Sequence, residues 1–109
     1  MSRYFPKRDE QSRHTIFPGV DIATSSCERL MISIADFEPH AVVEWHAHPH
    51  EQCGVVVKGK AIFCIGDEEK TLQPGDIYFM PGNVRHKVVA LDEAVRAIDI
   101  FTPIRDDYR

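Results

Sequence analysis

Gln52-Cys-Gly-Val-Val-Val57, then Lys58-Gly59-Lys60, then Ala61-Ile-Phe-Cys-Ile65 is the stretch on which the reading of this chain turns. Two short runs rich in β-branched and aromatic residues flank a glycine-centred tight-turn signal, the pattern of a hairpin. The same grammar continues outward. Before it, residues 28–37 form a β-rich run that stops ahead of Pro39, and residues 41–46 form another. After it, Gly66-Asp-Glu-Glu69, Gln73-Pro-Gly-Asp76 and Pro81-Gly-Asn83 read as turns. Strands are expected between and beyond them at 77–80, 87–91 and 95–101. No window carries a helical period with caps. Short strands separated by turn signals every ~8–12 residues specify an all-β sandwich or barrel.

The chain has 109 residues, enough for one domain and one core. Residues 1–13 are polar and charged and are expected to form a flexible N-terminal arm, with 14–109 as the folded domain. The formal charge is −4, and the basic residues are scattered rather than gathered in a run, so nucleic acid is not an expected partner. No stretch reaches the ~20 apolar residues that cross a bilayer. The basic N-terminus lacks a following apolar segment, so a secretory signal is not expected and the protein is placed in the cytoplasm. Cys27, Cys53 and Cys64 are odd in number and match no disulfide or zinc-knuckle spacing. Cys53 and Cys64, inside apolar runs, are expected to be buried reduced thiols.

The chemistry concentrates in Trp45-His-Ala-His-Pro-His-Glu-Gln52. Residues two apart on a strand face the same side, so His46 and His48 project together. Pro49 breaks the ladder, and Gln52 opens the next strand with a side-chain oxygen able to return to the same point. Far along the chain, Pro74-Gly-Asp-Ile-Tyr-Phe-Met-Pro-Gly-Asn-Val-Arg-His86 delivers a third imidazole after a turn, a strand and a turn. Three imidazoles and one oxygen suit one divalent metal ion of borderline character: Ni, Zn, Fe, Mn or Co. The alternative is a set of merely hydrogen-bonded histidines. Burying several imidazoles together without an ion costs roughly 1–3 kcal/mol for each polar group left unpaired. His50 reads as a loop residue at the pocket mouth or a further group at the metal. His14 and His40 read as ordinary polar residues, and Trp45 and Phe63 as core.

These residues resemble the two sequence motifs of the cupins. H-x-H-x-x-x-(E/Q) followed by a glycine is matched by His46, His48, Gln52 and Gly59. G-x-x-x-x-x-P followed by a histidine is matched by Gly75, Pro81 and His86. The resemblance implies a small double-stranded β-helix, or jelly-roll barrel, with the metal inside it. The chain departs from the motifs at His40, Asn83 and Ala90, where glycine, often glycine, and asparagine stand. Asparagine tolerates positive φ, so the turn at Asn83 is expected to survive. Gln52 replaces the glutamate of many cupins. The ion's charge then stays uncompensated, and such a centre favours an anionic ligand such as a carboxylate.

The last informative stretch is Val95-Arg-Ala-Ile-Asp-Ile-Phe-Thr-Pro-Ile-Arg-Asp-Asp107. Alternation puts Asp99 on one face with Val95, Ala97 and Phe101. A carboxylate among apolar neighbours has a raised pKa and suits proton transfer. Arg105 offers a planar fork that matches a carboxylate. A structural Asp99–Arg105 salt bridge closing the barrel is the competing reading.

H-P-H-E-Q at 48–52 together with D-x-F-x-P-x-R-x-D at 99–107 is similar to the KdgF-type pectin-degradation cupins. That similarity implies His46, His48, Gln52 and His86 as metal ligands and Asp99, Phe101 and Arg105 as catalytic residues. It implies ring opening and tautomerisation of 4,5-unsaturated monouronates from pectin or alginate to linear keto acids, hence a small anionic sugar-acid substrate. It leaves open a quercetinase-like metal-dependent dioxygenase and a non-catalytic sugar-acid-binding cupin. Small cupins are often dimers, so a homodimer is expected.

Overall fold

A computed structural model describes residues 2–109. The strands are β1 (Ser12–Phe17), β2 (Val20–Ser26), β3 (Met31–Phe37), β4 (Val42–His46), β5 (Glu51–Lys58), β6 (Ala61–Ile65), β7 (Glu68–Leu72), β8 (Ile77–Met80), β9 (His86–Ala90) and β10 (Val95–Thr102). Two antiparallel sheets face each other. One runs β1-β2-β3-β10-β5-β8 and the other β4-β9-β6-β7. Single helical turns at Arg8–Glu10 and Asp106–Tyr108 lie outside the strands. Among the described residues no helix is long and apolar enough to cross a membrane.

The alternation seen in the sequence explains the layers. In β3 and β10 every second side chain is buried (Met31, Ser33, Ala35 and Phe37; Val95, Ala97, Asp99 and Phe101), while the intervening residues face outward. Of the inward set, Ala35, Phe37 and Val95 meet Val43, Phe63, Leu72 and Val88 of the opposite sheet in one core. Period-2 burial on both sheets is what a sandwich closed around a shared interior requires.

Three expectations about the strands change. The turn at Lys58-Gly59-Lys60 does not close a hairpin: β5 pairs with β10 and β8, whereas β6 pairs with β7 and β9. The chain instead crosses between sheets there. Gly59 takes φ +74, and a Cβ at that point would run into the Ala94 carbonyl. Residues 68–72, too charged to read as a strand, form edge strand β7, largely exposed except for Leu72. Charged edges discourage further pairing, which is why such a strand carries no apolar signal. The sheet begins at Ser12, so Ser12 and Arg13, read as part of the arm, pair with Thr24 and Ala23.

The motif departures also resolve. Asn83 takes φ 65, as its amide side chain permits, and so does His40, which occupies a conformation that glycine normally supplies. Cys64 is buried, but Cys53 is exposed on the outer face of its sheet, as is Cys27 in the β2–β3 turn; all three are free thiols. Phe63 is buried. Trp45 is partly exposed, with the Arg85 guanidinium 4.7 Å from its ring centre.

Candidate metal centre

Strands β4 and β9 run antiparallel with His46 directly opposite His86, after an irregularity between Val43 and His46. His48 follows the end of β4, where Pro49 stops the ladder. The three imidazoles converge: ring centres lie 4.3 Å apart for His46 and His86, 5.0 Å for His48 and His86, and 5.6 Å for His46 and His48. One ligand atom from each falls within 4.8 Å of the other two.

Hydrogen bonding dictates which atoms those are. Nδ1 of His46 lies 2.9 Å from the Glu44 carbonyl, Nδ1 of His48 lies 3.0 Å from that of His50, and Nδ1 of His86 lies 3.0 Å from that of Val84. A carbonyl only accepts, so each Nδ1 carries the proton and each Nε2 presents a lone pair. Two of those Nε2 atoms, on His46 and His86, sit 3.1 Å apart. With both Nδ1 protons committed, no hydrogen remains to bridge them. A cation relieves this repulsion. The spacing fits a coordination edge with ~2.0–2.1 Å metal–nitrogen bonds. The donor set therefore fits the divalent ion that the sequence implied. Burial, above all, pushes His86 down to about 4 and holds His48 below the ordinary imidazole value. Both are thus neutral, the form that ligates.

Gln52, near the start of β5, stands beside the histidines. Its Oε1 lies 3.1 Å from His48 Nε2, and its Nε2 donates to Asp99 Oδ1 at 3.1 Å. The amide thus turns its oxygen to the histidines and its NH₂ to the carboxylate. A glutamate here would place two carboxylates against each other.

Asp99 sits in a row that crosses four strands: Ser33, Asp99, Gly54, Tyr78. All belong to the inward face. Because Gly54 has no side chain, Tyr78 reaches over β5 and its hydroxyl donates to Asp99 Oδ1 at 2.5 Å. A Cβ on Gly54 would fall 2.5 Å from that same oxygen and into the Tyr78 hydroxyl. Burial raises the Asp99 carboxyl to about 6, against the opposing effect of the two donors. Burial and the adjacent Asp99 push the Tyr78 hydroxyl far upward, so it stays a donor. Reading the sequence alone missed Tyr78. Its signals were a tyrosine on the inward phase of Ile77-Tyr-Phe-Met80, which needs a partner when buried, and a glycine inside a strand, which marks a close approach.

The competing Asp99–Arg105 salt bridge is not formed. Arg105 pairs with Asp107, through Nη2 at 2.8 Å and Nε at 3.3 Å. Its guanidinium lies 3.9 Å from the centre of the Tyr108 ring and 5.7 Å from that of Phe101. Tyr108, also missed, is held by its own carbonyl, which accepts from Thr24 Oγ1 at 2.5 Å. The segment after β10 thus folds back across one end of the barrel. His46, Gln52, His86, Asp99, Phe101 and Arg105 all line a single cavity, together with Tyr78 and Tyr108. His48 stands beside it, its ring 6.1 Å from that of Phe101. His50 contributes its carbonyl to His48 and is outside the three-histidine group.

The cupin domain family matches residues 33–101, the span that contains all four histidine and glutamine positions. The pectin degradation protein KdgF of Dickeya dadantii (strain 3937) is 33% identical over 111 residues, covering 99% of each chain. The chain is a cupin of the KdgF type. Two solved structures agree with it over nearly their whole length. KdgF from Halomonas sp. superimposes with a TM-score of 0.86 at 31% identity, covering 97% of this cupin and 98% of that chain. An RmlC-like cupin from Shewanella frigidimarina NCIMB 400 gives 0.88 at 28% identity, covering 99% and 97%. A variant of the oxalate decarboxylase of Bacillus subtilis shares the fold at a TM-score of 0.82 and 18% identity, and this cupin spans only 30% of it.

Proposed function

We propose that this cupin is a metal-dependent enzyme that opens 4,5-unsaturated monouronates, released from pectin or alginate, into linear keto acids. The observation that carries the reading is one cavity lined by Asp99, Arg105 and two members of a three-histidine group, His46 and His86. The names of its two KdgF relatives support it. His46, His48, His86 and the Gln52 oxygen would hold the ion. When bound, it supplies positive charge for the substrate carboxylate and for charge that develops on oxygen.

The chain's own groups account for the rest. Arg105, flanked by Phe101 and Tyr108, binds and orients the uronate carboxylate. The substrate is an enol ether conjugated to that carboxylate. The Asp99 carboxylic acid gives its proton to C4, and the oxygen of a water molecule joins C5. The water's proton goes to the Asp99 carboxylate, which is restored for the next turnover. The hemiketal so formed opens as its C5 hydroxyl gives up a proton, the bond between C5 and the ring oxygen breaks, and the ring oxygen takes up a proton, leaving a ketone and a free hydroxyl. Tyr78 and Gln52, both donating to Oδ1, hold Asp99 in place. Phe101 shapes the pocket and keeps bulk water out.

The test is the ultraviolet absorbance of an unsaturated monouronate, followed with metal-loaded and chelated protein under an oxygen electrode. Absorbance should fall with the loaded protein, stay constant after chelation, and consume no O₂. Unchanged absorbance with fully loaded protein, or oxygen uptake coupled to turnover, rules the proposal out.

A further inference from the structure

Ser33 stands where the fold leaves a buried hydroxyl without a protein partner. Strand register sets Thr24, Ser33, Asp99, Gly54 and Tyr78 side by side across β2, β3, β10, β5 and β8. The inward row beside them is apolar: Ile22, Ala35, Ala97 and Val56. The other polar side chains of the Ser33 row are engaged by protein. Thr24 Oγ1 donates to the Tyr108 carbonyl, and the Tyr78 hydroxyl donates to Asp99 Oδ1. Ser33 is only 1% exposed, yet among the described residues no group hydrogen-bonds its hydroxyl. A buried hydroxyl left unpaired is destabilising, and an alanine would fill the position as Ala35 does two residues on.

What pairs with that hydroxyl follows from its surroundings. The buried side-chain polar atoms sealed off without a partner are His14 Nε2 and His50 Nδ1, and the Ser33 oxygen is not among them. It opens into the cavity that Ser33 lines together with Asp99. The two residues are direct cross-strand neighbours. Side chains so placed have Cβ atoms roughly 4.5–5.5 Å apart. Tyr78 and Gln52 both reach Asp99 from the β5 side, away from Ser33, and both take Oδ1. Oδ2 has no partner among the described residues. A serine oxygen and a free carboxyl oxygen at this spacing, facing one cavity, supply the two polar partners that a buried water molecule needs. Neither carries positive charge, so the place suits a neutral donor such as water, while the substrate carboxylate goes to Arg105.

We propose that Ser33 and Asp99 together hold the water molecule whose oxygen adds to C5. The inference rests on the ring-opening reaction given above and names the residue that places its second reactant. Once Asp99 has given its proton to C4, the water donates one hydrogen to the Asp99 carboxylate and the other to Ser33 Oγ. Its lone pair is then free for C5. As the bond between oxygen and C5 forms, the hydrogen at Asp99 passes to the carboxylate, and the hydrogen at Ser33 stays on the new C5 hydroxyl. Ser33 exchanges no proton; it fixes the direction from which the water attacks.

Two measurements test this. In steady-state kinetics on an unsaturated monouronate, Ser33→Ala should lower kcat on the order of 10²-fold, the cost of misplacing a reactant. Its KM and metal content should match those of the native protein, and its Tm should be no lower, because no protein group loses a bond. Ser33→Thr keeps the hydroxyl and should recover most of the rate. The second measurement needs no substrate. A crystal structure of the native protein should show an ordered water within about 3.2 Å of both Ser33 Oγ and an Asp99 carboxyl oxygen, and Ser33→Ala should lose it. Unchanged kcat in Ser33→Ala overturns the proposal and leaves the ring-opening reaction standing. A Tm that falls in Ser33→Ala, a Ser33→Thr as slow as Ser33→Ala, or a native crystal without that water also overturns it. Native protein that leaves the uronate untouched refutes the reaction instead, and the crystallographic water then decides whether the two side chains hold one. The same native crystal decides should either variant fail to fold.

Discussion

At the scale of single residues, Asp99 carries the sharpest consequences. Among the described residues its side-chain partners are Tyr78 and Gln52, both donors, and it lines the cavity. Asp99→Asn should retain the metal by elemental analysis yet lower kcat on the uronate by about 10²–10⁴-fold, the span of general acid–base catalysis. Loss of metal in that variant, or unchanged kcat, would contradict the assignment. Stability gives an independent check. The folded carboxyl titrates at about 6, above its unfolded value of 3.8. Between those pH values the folded chain keeps a proton that the unfolded chain has released. Its contribution is therefore complete below about pH 4, falls as pH rises through 6, and is flat beyond. A gap of this size is worth roughly 3 kcal/mol. In chelator, the stability of the native protein relative to Asp99→Asn should decline by that order between pH 4 and 7 in denaturant titrations. A pH-independent difference would mean the carboxyl is not held neutral.

At the scale of elements, the Ser33–Asp99–Gly54–Tyr78 row shows what a strand can position and what sequence reading can reach. Gly54→Ala should destabilise by about 1–3 kcal/mol, as crowded cores do. Removing the hydroxyl with Tyr78→Phe should return part of that loss, because the added methyl group collides with that oxygen. Thermal melts of the two single variants and the double variant form the cycle; additive losses would show that the collision is not the cause. The strands placing the three histidines and Asp99 were legible because period-2 alternation and turn residues act locally. So was the convergence of His46 and His48, whose spacing puts both at the same end of β4. Register between distant strands is not local. Nothing near Tyr78 announces that β8 lies beside β5, nor near Gly59 that the chain changes sheets. Strand β7 escaped because edge strands are selected for charge, and Tyr108 because it follows the last strand in a segment without periodicity.

For the whole molecule, the proposed ion and stability should be linked. Metal that binds only the folded state adds RT ln(1 + [M]/Kd), about 2.7 kcal/mol at a hundredfold excess over Kd. For a chain of this length that raises Tm by about 10 °C. His86→Ala should abolish this increment and reduce metal affinity beyond the ~10–100-fold that loss of an outer partner costs. Calorimetry with and without chelator reads both effects, and a metal-induced rise that survives the substitution would place the ion elsewhere.

Each imidazole is fastened through Nδ1 to a carbonyl only two residues away, those of Glu44, His50 and Val84. The cage is thus assembled by the local backbone rather than by its contents. It keeps its shape when emptied, and stripping the ion should leave the far-ultraviolet circular dichroism unaltered. A vessel so built would refill without refolding, and the ion proposed for it would follow the supply of metal as much as the preference of the protein.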